Sequence, residues 1–430
     1  MKARFQAVKG TRDHLPPEST RWAEAEAVAR RVFRSRGYEE VRTPILEETA
    51  LFARSVGETT DIVHKEMYTF TDRKGRSLTL RPENTAGVVR ALVEHNLASG
   101  PMPLRLFYIG PQFRYERPQA GRYREFRQIG AELFGIAGPA AEAELLATLF
   151  AFLSALGFRD LSVALNTVGT RQTRGQFGDA LRRHLEPRAA AFSEEDRRKL
   201  EENPLRLFDS KDADVRRALE GAPRPADFLD EDSRRHHAEV QALLSASGIP
   251  FRNAPELVRG LDYYTRTVFE VVSGGLGAQD ALLGGGRYDN LVEALGGPPL
   301  PAIGFAIGED RLLSVAPFKP APRGFVLVLP GSPGDVGDAL RLSEEIRAGF
   351  EGTVELDLSA RGFRKGLSRA NTLLAEAEGR GLDPGRLFAV LLGDRERAEQ
   401  TVTIKALASG TQETVARREL ARRLSAGSRP

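Results

Sequence analysis

Chemistry in this chain gathers first in residues 257–270, LVRGLDYYTRTVFE, where Arg259, Asp262, Tyr263, Tyr264, Arg266 and Glu270 crowd a run of strand composition. Period-two alternation over it places Asp262, Tyr264, Arg266 and Val268 on one face. A half-buried strand can carry such charges outward, so the run gains meaning only from groups elsewhere. Three cations stand at element ends: Arg114 closing a strand, Arg259 in this run, and Arg311 in the first turn of a helix. Without a glycine-rich phosphate loop, three guanidinium forks suit a polyphosphate gripped by side chains. Such a site works on a phosphoryl centre by positioning and charge stabilisation. Glu83, Gln128, Glu132, Tyr263 and Tyr264 supply hydrogen-bonding groups fit for a small zwitterion.

The elements that must position these groups follow from pattern. Met67–Leu80 reads as a hairpin turning at Asp72–Gly75, and its second strand runs into a helix start at RPENTAGVVRALVEH. Glu83 and Thr85 therefore sit at a strand-to-helix junction, where capping accounts for Asn84 or Thr85 more readily than for Glu83. On the strand after the Arg-rich loop, Phe126, Gln128, Gly130, Glu132 and Phe134 share a face. Gln128 and Glu132 flank a residue without a side chain, which predicts a polar pocket with room for a ligand over Gly130. Residues 170–250 are charge-dense helices carrying no motif, and strand-rich sequence resumes at Phe251. A Pro-rich linker at 315–324 precedes alternating strands and helices. The expected organisation is a catalytic core over 1–169 and 251–320, a helical insertion over 170–250, and a small α/β domain over 325–430.

Composition narrows the chemistry. There is no cysteine among the 430 residues, which removes thiol catalysis, disulfides and cysteine-bound zinc. The six histidines show no HExxH spacing, and neither GxxxxGK[ST] nor a strand–turn–helix GxGxxG occurs. With 62 basic against 59 acidic residues, nucleic-acid binding is permitted through local patches but not required. The N-terminus has no apolar signal core and no window approaches a membrane span, so a cytoplasmic protein with no membrane partner is expected.

Five stretches carry a family resemblance that covers the whole chain. YEEVRTPILEE around Pro44, FYIGPQFRYERPQAGRYREF and GFAIGEDRLL resemble the three motifs of class II aminoacyl-tRNA synthetases. RGLDYYTRTVFE and GGGRYDNL resemble the two segments that set histidyl-tRNA synthetases apart within that class. The resemblance implies an α+β catalytic domain on a mostly antiparallel sheet, interrupted by a helical insertion and followed by an α/β anticodon-binding domain. It also implies the ligation of histidine to tRNA(His) with ATP as substrate, Mg²⁺ on the leaving phosphates, and a homodimer formed through the Pro44 region.

By the same resemblance, Glu83 with Thr85 beside it holds the histidine amino group and Gln128 its carboxylate. Glu132 and Tyr264 hold the imidazole, with Tyr263 lining the pocket. Arg114 and Arg259 contact the α-phosphate of ATP and Arg311 the γ-phosphate, while Gln119 and Arg122 touch the acceptor end of tRNA. No carboxylate cluster identifies protein ligands for the metal. Three positions depart from the common pattern: Asp310 stands where the third motif usually has Glu, Asn290 follows RYD where Gly is frequent, and Asn84 varies. A rival implication is a non-catalytic regulatory subunit of ATP phosphoribosyltransferase, which shares the core; intact Arg114, Arg259, Tyr264 and Arg311 and the C-terminal domain weigh against it.

Overall fold

The computed structural model describes residues 5–57, 60, 62–117, 122–210, 212–258, 261–274 and 281–426. It divides into two compact units, residues 1–13 with 25–318, and residues 14–24 with 319–430.

In chain order the first unit holds α1 (Glu18–Ser35, from Ala25 onward), β1 (Glu39–Glu40), β2 (Leu46–Glu48), α2 (Thr49–Val56), β3 (Tyr68–Thr71), β4 (Ser77–Leu80) and α3 (Thr85–Glu94). There follow β5 (Leu104–Phe113), β6 (Glu125–Phe134), α4 (Ala140–Ala155), β7 (Leu161–Thr167), α5 (Arg171–Leu185), α6 (Glu194–Glu202), α7 (Ala213–Ala218) and α8 (Glu231–Ala246). The unit closes with β8 (Phe251–Asn253), β9 (Thr265–Ser273), β10 (Ala281–Arg287), α9 (Leu291–Ala294), β11 (Ala302–Gly308) and α10 (Glu309–Val315).

Its main sheet runs β1-β5-β6-β11-β10-β9-β7-β8. The interior pairs are antiparallel and only the outer pairs β1–β5 and β7–β8 are parallel. Alternation along each strand gives the sheet two differently covered faces. On one, Phe33 of α1 meets Phe152 of α4, Phe107 of β5 and Phe305 of β11, with ring centroids 5.2–6.2 Å away. On the other, Val88, Val89 and Leu92 of α3 pack with Leu106, Tyr108, Phe134 and Tyr288. The expected hairpin forms as β3–β4, and Asp72 closes its turn by accepting from the Lys74 and Arg76 amides.

Residues 171–246 form helices around their own apolar cluster, which includes Phe177, Leu181, Leu200, Leu207 and Val215. Polar residues start these helices as the sequence favours: Thr170, Ser193, Asp212 and Asp230 each accept from a first-turn amide.

One expectation needs correction. The strand read over Leu257–Glu270 begins only at Thr265. Arg266 has φ +50°, which breaks the alternation, so Asp262, Tyr264, Arg266 and Val268 do not line one strand face. Tyr264 and Val268 do share an apolar cluster.

In the second unit, β12 (Arg323–Pro330), α11 (Val336–Arg347), β13 (Gly352–Leu356), α12 (Phe363–Ala375), β14 (Leu382–Leu392), β15 (Thr401–Ala406) and β16 (Gln412–Ala416) build a sheet ordered β13-β12-β14-β15-β16. Its first three strands are parallel, and the continuous apolar runs of β12 and β14 follow from burial on both faces. α11 packs on one face and α12 on the other.

Candidate active site

Register decides what lies on the α3 side of the main sheet. Gly110 pairs with Gln128, Tyr108 with Gly130 and Leu106 with Glu132. Gly308, Ala306 and Gly304 continue these rows on β11, and Gly286 faces Gly304 on β10. A floor of very small residues results, and neighbouring side chains occupy most of it. A Cβ at Gly304 would collide with the Glu132 carboxylate, at Gly286 with the Tyr264 ring, and at Gly110 with the Arg81 guanidinium. The space over Gly130, expected to hold a ligand, is filled by the Tyr108 ring from the paired strand. Open space lies instead over Gly308, directly across from Gln128. Gln128 is buried and its Oε1 finds no partner among the described residues. An orphaned buried amide beside open floor is what a ligand-binding position looks like before its ligand arrives.

Glu132 sits at the pocket's closed end, 1% exposed. Thr85 Oγ1 donates to its Oε1 at 2.7 Å and Tyr288 Oη to its Oε2 at 2.5 Å. Burial lifts its carboxyl to about 8 against the pull of those two hydroxyls, and the charge of Glu83 adds to the rise. The carboxyl therefore holds its proton far above the usual carboxylate range.

Glu83 corrects the expectation at the start of α3. Its carboxylate accepts from the Thr85 amide at 2.7 Å and the Ala86 amide at 2.9 Å, so Glu83 itself satisfies the first turn of the helix. Asn84 makes no side-chain cap bond; its Oδ1 accepts from Thr43 and Arg81. Burial raises the Glu83 carboxyl, while the two amides and the charge of Arg114 oppose the shift. Two amides leave lone pairs on both oxygens for a cation from the pocket.

Tyr263 and Tyr264 pack against one another with centroids 4.8 Å apart, and Tyr263 meets Tyr288 edge-on at 5.6 Å. Burial, followed by the negative groups around it, raises the Tyr263 phenol well above its ordinary range. The ring wall and the acids therefore belong to one enclosed region.

Two of the three expected cations, Arg114 and Arg311, are among the described residues. Arg114 donates Nε to the Pro82 carbonyl at 2.9 Å and covers the Phe126 ring at 5.3 Å. Glu116 stands between Arg114, 3.9 Å away, and Arg122, 3.6 Å away. Arg311 is half-buried in the first turn of α10. Asp310 reaches its partners despite its shorter side chain: it accepts from Arg12 at 3.0 Å and from the Arg127 amide at 3.3 Å. Arg259 and Gln119 lie outside the described residues.

Three residues that build this site carry no role in the sequence reading. Tyr288 orients Glu132, and its signal is the quoted GGGRYDNL. Tyr108 fills the space over Gly130, which only register reveals. Arg81 is buried and donates to Thr43 Oγ1 at 2.9 Å, Asn84 Oδ1 at 3.0 Å and the Pro111 carbonyl at 2.9 Å. It ties the Pro44 segment to α3 and β5.

A histidyl-tRNA synthetase family model matches residues 10–312. A histidine–tRNA ligase of Synechococcus elongatus is 48% identical over 423 residues, covering 97% of this chain and 94% of the relative. The apo histidyl-tRNA synthetase of S. aureus superposes with a TM-score of 0.79 at 32% identity, covering 98% of this chain and all of the other. A Bacillus halodurans protein described as an ATP phosphoribosyltransferase regulatory subunit/histidyl-tRNA synthetase gives 0.63 at 24% identity, covering 86% and 97%, a likeness of fold alone. Near-half identity over almost the full length lies on the ligase side of that divide. The chain belongs to the histidyl-tRNA synthetase family.

Proposed function

We propose that this chain activates histidine with ATP and transfers it to the 3′ end of tRNA(His). The observation that carries the reading is the buried carboxyl of Glu132, oriented by Thr85 and Tyr288 at the end of a pocket whose open floor faces Gln128. A carboxyl that can keep its proton, in a tyrosine-walled slot, suits an imidazole, which both donates and accepts hydrogen bonds. Glu83 takes the amino group with its remaining lone pairs, and Gln128 steers the carboxylate.

The carboxylate of histidine attacks the α-phosphorus of ATP, the bond to the bridging oxygen breaks, and pyrophosphate leaves with the electron pair. Arg114, Arg259 and Arg311 spread the charge that builds on the phosphates, each worth roughly 3 kcal/mol if well placed. A ribose hydroxyl at the tRNA terminus then attacks the histidyl carbonyl and AMP departs. Gln119 and Arg122, which fall between β5 and β6 in the sequence, guide that terminus.

Mg²⁺ belongs with the nucleotide in this scheme. Among the described residues no group of three or more His, Asp or Glu side chains could hold a metal alone, and phosphate oxygens are its natural ligands. The second unit serves the anticodon, and the work is done in the cytoplasm; no described helix is long and apolar enough to cross a membrane. A homodimer is favoured by the small sheet β2-β4-β3. Leu46 pairs with Leu80 and Phe70 with Leu78, which puts four apolar side chains on one face, and Leu46 and Phe70 are 43% and 44% exposed.

Charging tests the reading: the full chain with ATP, Mg²⁺, labelled histidine and a tRNA(His) transcript should yield acid-precipitable label. Label from another amino acid in its place would overturn it.

A further inference from the structure

Leu261–Tyr264 precede β9 and lie outside its ladder, so other contacts must fix the two tyrosines. Asp262 supplies them. Its Oδ1 accepts from Asn203 Nδ2 at 2.9 Å and its Oδ2 from Arg206 Nη2 at 3.1 Å. Arg174 Nη1 donates to the main-chain oxygens of Asp262, at 2.5 Å, and of Tyr264, at 3.1 Å. All three donors belong to the helical insertion: Arg174 to α5, Asn203 and Arg206 to the turn after α6. On the core side, the Asp262 amide bonds to the Val56 carbonyl at 3.3 Å, and Gly57 lies against its side chain.

The seam around this grip is loosely filled. A cavity of about 450 Å³ runs along it, lined by Arg54, Arg171, Asp179, Asn203, Asp262 and Tyr264. A shift of the insertion bears directly on Asp262 and on the Tyr264 main chain, because hydrogen bonds and an ion pair join them.

We propose that Arg174, Asn203 and Arg206 are positioning residues that act through Asp262 to place Tyr263 and Tyr264, coupling the docking of the insertion to occupancy of the histidine pocket. The coupling rests on the pocket assigned above. It is reciprocal: histidine held by the tyrosines should tighten the insertion as much as the insertion tightens histidine.

Arg206→Met removes the charged bond to Asp262. In histidine-dependent pyrophosphate exchange it should raise KM for histidine about tenfold and leave KM for ATP within twofold, with partial rescue by Arg206→Lys. Asn203→Ala, which loses a neutral bond, should act in the same direction and less. Amide hydrogen exchange provides a readout independent of activity: residues 261–265 should exchange faster in ligand-free Arg206→Met, and histidine should no longer slow exchange in α5. Unchanged exchange at 261–265 in a folded variant, or an equal rise in both KM values, overturns the proposal. Absence of histidine-dependent activity in the unmodified protein would instead overturn the pocket reading, with the ligand-free amide arm still deciding the grip.

Discussion

At the scale of single residues, Glu132 shows how burial creates a chemically useful group. Its ordinary carboxyl value of 4.5 rises to about 8 in the folded chain. The native state therefore holds this proton more tightly than the unfolded chain, so its contribution to stability is full below about 4.5 and declines as pH rises through about 8. Glu132→Gln removes the titration. Between pH 6 and 9 the unmodified protein should lose about 3 kcal/mol that the variant keeps, as read from denaturation midpoints, while the variant's histidine affinity falls more than tenfold. A parallel pH dependence in both proteins would assign the shift elsewhere; Glu309, also lifted to about 8 by burial and by Glu26, is common to both. Alternation alone placed Gln128 and Glu132 on one face, since period two is a local property. Tyr108 could not be placed that way: its ring enters the space over Gly130 only because β5 and β6 pair in one register out of several.

At the scale of elements, polar ties between helices and strands hold the floor in place. Glu142 of α4 accepts Arg287 Nε at 2.8 Å and Nη2 at 2.6 Å, His236 of α8 at 2.7 Å and Thr267 of β9 at 2.9 Å. Burial by itself would raise this carboxyl, but the bonds and charge of Arg287, joined by His236, outweigh it and hold the group at about 2. Here the sign is opposite to that of Glu132: the stabilisation is present above the ordinary 4.5 and is lost as pH falls toward about 2. Arg287→Met leaves a buried carboxylate without its fork and should cost about 3–5 kcal/mol in chemical denaturation at pH 7. Gly57 makes a second element-scale case. Its φ of +104° and the Asp262 side chain pressed against it leave no place for a Cβ. Gly57→Ala should cost about 1–3 kcal/mol and raise KM for histidine by displacing Asp262; a change in stability without a change in KM would separate the two effects. Neither tie was legible in sequence, because Glu142 and Arg287 are far apart in the chain. The strand expected over 257–264 failed for a related reason. Its Thr, Val and Tyr composition favours extended backbone, yet bonds from the insertion fix Asp262 and Tyr264 instead of a ladder.

At the scale of the whole molecule, the sheet's order carries the resemblance that motifs announced. Motif-bearing β5, β6, β11 and β10 are successive neighbours, so residues distant in sequence, from Glu83 to Tyr288, converge on one face. The helices over 171–246 show in the sequence as a change in charge density and the alternation after 324 as a change of period; the hold of those helices on Asp262 shows in neither. The exposed apolar face of β2-β4-β3 predicts association. Leu46→Glu with Phe70→Glu should convert a dimer to a monomer in light scattering at micromolar concentration, and an unmodified protein that is already monomeric would remove the basis for that prediction. Histidine-dependent exchange of labelled pyrophosphate into ATP by the unmodified full chain tests the central claim most directly, since it calls on the proposed pocket and arginines without tRNA. Saturable exchange with histidine and none with the other amino acids is predicted; a folded protein that exchanges no label with histidine would contradict the account.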